Sequence, residues 1–194
     1  MAENTRAQLA LAKLANPENM GKGGFRLSSA AFKQGDELDP CFTADEEDAV
    51  APPLEWNAPP AGAAELVLIV EDPDAPGNEP FCHWLVWGLA PQQGQLLEGE
   101  VPPRVGKNSF GNSEWALPAP PHGDEAHEYV FQLFALDVPL ALMPGAGRAE
   151  LIAAMEGHVV AAAMLSANYT RAENDGEEGD WADVDIDSID FDGN

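Results

Sequence analysis

A chain of 194 residues with 45% hydrophobic content can bury one sizeable core, so the expectation is a single domain with short extensions. Its 34 acidic residues stand against 9 Lys and Arg, a formal net charge of -25 that argues against nucleic acid and against stable attachment to an anionic membrane surface. Nothing approaches the apolar length of a bilayer span and Met1-Ala2-Glu3-Asn4-Thr5-Arg6 does not open an export signal, so the expected location is cytoplasmic, with Cys41 and Cys82 as free thiols.

In chain order, Asn4 is placed to cap a helix over residues 5–15, with Ala7, Leu11 and Leu14 at helical spacing and Asn16-Pro17 as its stop. With Arg6 and Lys13 as its only bases, its apolar stripe is expected to dock on its own domain, or on the second subunit of a homodimer, rather than on lipid. Phe25 to Phe32 reads as a first strand and Gly35 to Val50 as an acidic loop. Within that loop, Asp45-Glu46-Glu47-Asp48 reads as solvated surface. Pro52-Pro53 and Pro59-Pro60 bracket a buried Trp56 and lead into the run 65–70, which is apolar on both faces and therefore an interior strand.

That strand ends in Asp72-Pro73-Asp74-Ala75-Pro76, a stiff turn carrying two carboxylates, and a second interior strand begins at His83. Regular alternation would put His83, Leu85 and Trp87 on one face and Cys82, Trp84 and Val86 on the other. Residues 91–121 are rich in Gly, Pro, Asn and Ser, and so long an irregular excursion is expected to form a pocket wall. The run 127–136 is the clearest strand, projecting His127, Tyr129 and Phe131 to one side and Glu128 to the other. A helix over 148–155 and a last strand over 158–169 follow.

Beyond Arg171 the chain is acidic, with Trp181, Val184, Ile186, Ile189 and Phe191 interleaved, and reads as a flexible or docking tail. Its Asp-x-Asp run does not fit a calcium loop, which needs Gly and Glu where Ser188 and Asn194 stand. The expected organisation is an extension over 1–24, a ligand-binding domain over 25–171 and the tail over 172–194.

Asp72, Asp74, His83 and His127 form the candidate constellation, with Tyr129 and the Pro120-Pro121 turn beside them. Two histidines and two carboxylates could ligate a metal and activate water for hydrolysis, although the histidines lack a short helical spacing. A nucleophilic enzyme would need a Ser or Cys beside His, and there is no Gly-x-Ser-x-Gly elbow; Ser109 is the only serine near the pocket loop. Binding of a small anion by two imidazoles, a phenol and strand-end amides is the third reading, in which the carboxylates orient the histidines or brace the turn.

Asp72-Pro73-Asp74-Ala75-Pro76, then His83-Trp84, then Pro120-Pro121 six residues before His127-x-Tyr129, resemble the phosphatidylethanolamine-binding proteins, also called Raf kinase inhibitor-like proteins. Pro53-Leu54-Glu55-Trp56 to Pro60-Ala61-Gly62 and His158 to Tyr169 are similar as well, so the resemblance covers residues 25–171. It implies a mainly β fold, with a large central antiparallel sheet packed with a smaller one and a few flanking helices. It also implies a ligand pocket lined by Asp72, Asp74, His83, Pro120, Pro121, His127 and Tyr129, with no cofactor and no established catalysis.

The implied partners are a small anionic or zwitterionic ligand of phosphate type and a kinase or protease under inhibition. On this reading, affinity is expected to rise as pH falls through about 6.5, where ordinary histidines protonate. Cis peptides are expected at Ala75-Pro76 or Glu79-Pro80. Three features depart from the family: Glu128 replaces a common Arg, Trp115-Ala116-Leu117 and Ser109 reshape the loop, and the acidic tail is added.

Overall fold

The computed structural model describes residues 6–171, so the expected cap Asn4 and the tail over 172–194 lie outside the described residues. Seven strands form two antiparallel sheets. Three short strands, β1 (Leu27–Ser28), β2 (Leu54–Trp56) and β5 (Gly94–Leu96), make the smaller sheet in the order β1-β2-β5. The longer strands β3 (Glu65–Asp72), β4 (Phe81–Leu89), β6 (His127–Leu136) and β7 (Val159–Tyr169) make the larger one in the order β4-β3-β6-β7. The mainly β architecture with two packed sheets is as expected, but the first strand is two residues long rather than eight, and β5 interrupts the excursion over 91–121.

The larger sheet has apolar side chains on both faces because it is covered on both. On one face Leu66, Leu68, Val70, Phe131, Leu133 and Leu165 pack with the smaller sheet and with Phe25, Phe42 and Trp56. On the other, Val67, Ile69, Trp87, Phe134 and Leu136 meet two helices, α1 (Ala10–Leu14) and α2 (Arg148–Met155), through Ala10, Leu151, Ile152 and Met155. The amphipathic N-terminal stripe therefore docks on its own domain, although α1 is shorter than the 5–15 span expected.

Polar groups buried in this second layer fix the position of α1. The Ala10 N–H donates to Glu71 Oε2 at 2.8 Å, the Leu11 N–H to Gln132 Oε1 at 2.7 Å, and Gln132 Nε2 to the same Glu71 oxygen at 2.8 Å. The other Glu71 oxygen accepts from Arg148 Nε at 2.5 Å. First-turn amides with no partner inside their own helix are thus satisfied by side chains of the sheet.

β4 is an edge strand, and the loop after β5 lies along it, which removes the open edge. Gly106 N–H donates to Leu85 O at 2.9 Å, Ser109 N–H to Cys82 O at 2.9 Å and Ala116 N–H to His83 O at 2.9 Å. The approach is closest at Gly106, where a Cβ would stand 2.6 Å from Ala146 O and 2.9 Å from Leu85 Cβ. Gly106→Ala is therefore expected to destabilise the domain by about 1–3 kcal/mol through overpacking, measurable by urea denaturation. An unchanged midpoint would show that the loop can lift from β4 without loss.

Register in β4 differs from regular alternation. Val70 pairs with Trp84 but Glu71 pairs with Cys82, so His83 is an extra residue opposite a single step of β3. Such a bulge re-aims side chains. Trp84 and Val86 face the small-sheet layer, whereas Cys82, Leu85 and Trp87 face the helices. The expected sharing of a face by His83, Leu85 and Trp87 is corrected accordingly: His83 lies on the side of Trp84 and Tyr129. All described peptide bonds are trans, Ala75-Pro76 and Glu79-Pro80 included, which removes the cis expectation.

Candidate functional site

Where β3, β4 and β6 end together, a cavity of about 220 Å³ opens between the strand ends and the loop carrying Leu117 to Pro121. Asp72, His83, Pro120, Pro121, His127 and Tyr129 all line it. Phe81, Phe110, Leu117 and Ala119 add apolar wall; of these only Leu117 is named from the sequence, as part of the reshaped loop. Phe81 and Phe110 pair edge-on at 4.9 Å, and Phe81 lies 4.7 Å from the His83 ring. The π-face of a strand-end aromatic is the signal that could have found Phe81; Phe110 sits in an irregular loop and carries none.

His83 is held at two points by one residue. Its main-chain carbonyl accepts from the Ala116 N–H, and its Nδ1 lies 2.6 Å from the Ala116 carbonyl oxygen. Since a carbonyl can only accept, Nδ1 carries the hydrogen. Tyr129 stands edge-on to the ring at 5.1 Å and Trp115 at 5.8 Å, so the imidazole is packed among aromatic rings. Burial pushes the His83 pKa down to about 4; the Ala116 carbonyl and Asp72 oppose this, and His127 reinforces it.

The low value corrects the pH expectation for this residue, which is neutral near pH 6.5. It also ties His83 to stability. Between about 4 and 6.5 the unfolded chain binds a proton that the folded chain refuses, so stability is lost as pH falls through that window. From pH 7 to 5 the loss is expected to be about 2 kcal/mol, at about 1.4 kcal/mol per pH unit below 6.5. Urea titrations of the protein and of His83→Gln at both pH values check it: the variant should not share this loss, and equal pH dependence would refute the assignment.

Asp72 braces both the turn and the second histidine. Its Oδ1 accepts from the Asp74 N–H at 2.8 Å and the Ala75 N–H at 3.0 Å, and its Oδ2 lies 2.7 Å from His127 Nδ1. The strand-end amides expected to hold a ligand are consumed in this way. What remains open is His83 Nε2, His127 Nε2 and the Tyr129 hydroxyl: no hydrogen bond to them is seen among the described residues, and none of the three is sealed away without a partner, so each is reachable from the cavity. Burial, followed by the nearby Asp72, raises the Tyr129 pKa far above its ordinary value, so the phenol keeps its hydrogen and can donate it.

Asp74 does not belong to this cavity. Its carboxylate turns outward, accepts from Arg6 Nε at 2.9 Å and Nη2 at 3.0 Å, and accepts from the Glu128 N–H at 2.9 Å. Arg6 also donates to Glu128 Oε2, so the Glu that departs from the family pattern is paired with a guanidinium from the N-terminal segment. Asp45, expected to be solvated, likewise accepts from Arg171 and from the Tyr169 hydroxyl.

The metal-hydrolase alternative is not favoured. Among the described residues no three His, Cys, Asp or Glu converge on one point, and Asp74, one of its four proposed ligands, faces Arg6. No described helix is long and apolar enough to cross a membrane.

Comparison with known proteins agrees with this fold. The profile of the phosphatidylethanolamine-binding protein family matches residues 28–170. A UPF0098 protein of Aquifex aeolicus is 38% identical over 150 residues, covering 74% of this chain and 86% of that protein. LppC of Mycobacterium tuberculosis, whose name marks it as a lipoprotein candidate, is 42% identical over 124 residues, 56% of this chain and 61% of its own length. The crystal structure of CT736, a phosphatidylethanolamine-binding protein homologue from Chlamydia trachomatis, superposes with a TM-score of 0.71 at 35% identity, covering 76% of this chain and 97% of that one.

Proposed function

Because the chain belongs to the phosphatidylethanolamine-binding protein family, we propose that it is a binding module whose 220 Å³ cavity takes the anionic head of a small molecule and does not turn it over. One observation carries the proposal. His83 Nε2, His127 Nε2 and the Tyr129 hydroxyl meet at one small cavity with no partner among the described residues. Unpartnered but reachable from the cavity, the three atoms can all be satisfied by one small polar guest.

Binding is favoured over catalysis because neither cysteine nor Ser109 is set up as a nucleophile. Burial pushes the Cys82 thiol up to about 12 and the Cys41 thiol up to about 11, far from the thiolate form, and Ser109 Oγ accepts from the Cys82 N–H rather than meeting a histidine. The kinase or protease partner stays what the resemblance implies, and the proposal is confined to the small ligand. It places the protein in the cytoplasm; recovery of the native protein in the membrane fraction would contradict that placement.

Titration calorimetry with inorganic phosphate tests the binding reading. The expected result is saturable binding at pH 5 that is abolished in Tyr129→Phe/His127→Phe. Absence of binding between pH 5 and pH 8 would end it.

A further inference from the structure

We infer that the cavity selects an oxyanion that still carries an O–H, with His83 Nε2 accepting that hydrogen. The inference rests on reading the cavity as an anion site and adds which protonation form of the anion fits. The bulge turns His83 into the cavity, and the Ala116 carbonyl at 2.6 Å commits Nδ1 to donating, so a neutral ring presents only a lone pair at Nε2.

A fully deprotonated oxygen facing that lone pair would be repelled. An O–H in the same place makes a hydrogen bond. The rest of the wall fits the same guest: Pro76, Pro120 and Pro121 have no N–H, and the Asp74 and Ala75 amides already serve Asp72. Among the lining side chains the donor is the Tyr129 hydroxyl, whose hydrogen burial keeps in place.

The cavity also lacks the charge to hold a dianion. Among the described residues no Lys or Arg lines it, and the Asp72 carboxylate lies behind His127. The titratable groups facing His83 are Asp72 from β3 and His127 and Tyr129 from β6; the loop presents Phe110, Trp115 and Ala116, which are uncharged. Burial keeps the His83 ring neutral across the range in which phosphate monoesters change charge.

Methyl phosphate and methyl sulfate separate the possibilities, because both are small monoanions at pH 5 but only the first has an O–H. With a second pKa of about 6, the monoprotonated fraction of methyl phosphate rises about tenfold from pH 7 to pH 5. Calorimetry on the full chain should show the affinity ratio of methyl phosphate to methyl sulfate rising by about that factor, to at least about tenfold at pH 5, since a site built around an O–H rejects the analogue lacking it. In parallel, the ¹⁵N shifts of the His83 ring should be pyrrole-type at Nδ1 and pyridine-type at Nε2 at both pH values.

Equal affinities at pH 5, with both ligands gaining together as pH falls, would assign the gain to titration of the protein rather than of the ligand and overturn the selection while leaving the anion site standing. A protonated His83 Nε2 would overturn it as well. Failure of both ligands at every pH would instead remove the anion site itself.

Discussion

Replacing Arg148 with Met should lower the stability of the domain by about 3–5 kcal/mol, the range for removing one partner of a buried ion pair. Glu71 is wholly inaccessible, and its carboxylate accepts from Arg148 Nε, the Ala10 N–H and Gln132 Nε2. Without the guanidinium, the two neutral donors must stabilise a full charge between the sheet and the helices. The double change Glu71→Gln/Arg148→Met should recover most of the loss, because an amide needs no counter-charge. Urea denaturation of the two variants decides the point. A loss below about 1 kcal/mol in the single variant would mean that Glu71 is not held as a charge.

Asp72→Ala is expected to abolish detectable phosphate binding and to cost about 2–4 kcal/mol, since it strips partners from the Asp74 and Ala75 amides and from His127 Nδ1 together. Asp72→Asn separates these roles. An amide oxygen can still accept from the turn, so its stability should stay within about 1 kcal/mol of the parent. Its NH₂ would face His127 Nδ1, however, forcing the opposite tautomer and withdrawing the charge that supports an imidazolium. Phosphate affinity at pH 5 should then fall, by up to about tenfold, because the forced tautomer keeps an N–H at Nε2 toward the anion but as a neutral donor rather than a charge-assisted one. Retention of full affinity in the Asn variant would show that Asp72 only shapes the turn.

Residue types and spacing carried the site a long way, because most of its members sit at strand ends where the chain punctuates itself. Asp72, His83, His127 and Tyr129 stand at the ends of apolar runs, and Pro120-Pro121 marks the opposite wall. Asp74 was misplaced because Asp-Pro-Asp looks symmetric in sequence. Only the fold shows that one carboxylate folds back onto its own turn and the other faces outward to Arg6.

The facing of β4 was not legible for a different reason. In a run apolar on both sides, a one-residue bulge leaves no polar marker, so alternation carried past His83 without any sign that the phase had changed. Likewise, no local pattern announces that the Ala116 carbonyl fixes the tautomer of a histidine 33 residues earlier. The partnership of Glu128 with Arg6 spans 122 residues and is a product of tertiary folding alone.

The docking of α1 bears on where this domain begins. The family profile starts at residue 28, yet Ala7 and Ala10 are buried, and the amides of Ala10 and Leu11 are bound by Glu71 and Gln132 in the sheet. A chain trimmed to the profile boundary would bare an apolar face of the sheet and leave a buried carboxylate and amide short of partners. The interval matched by the profile and the interval that packs as one body are thus different stretches of the same sequence, and the second reaches back at least twenty residues further.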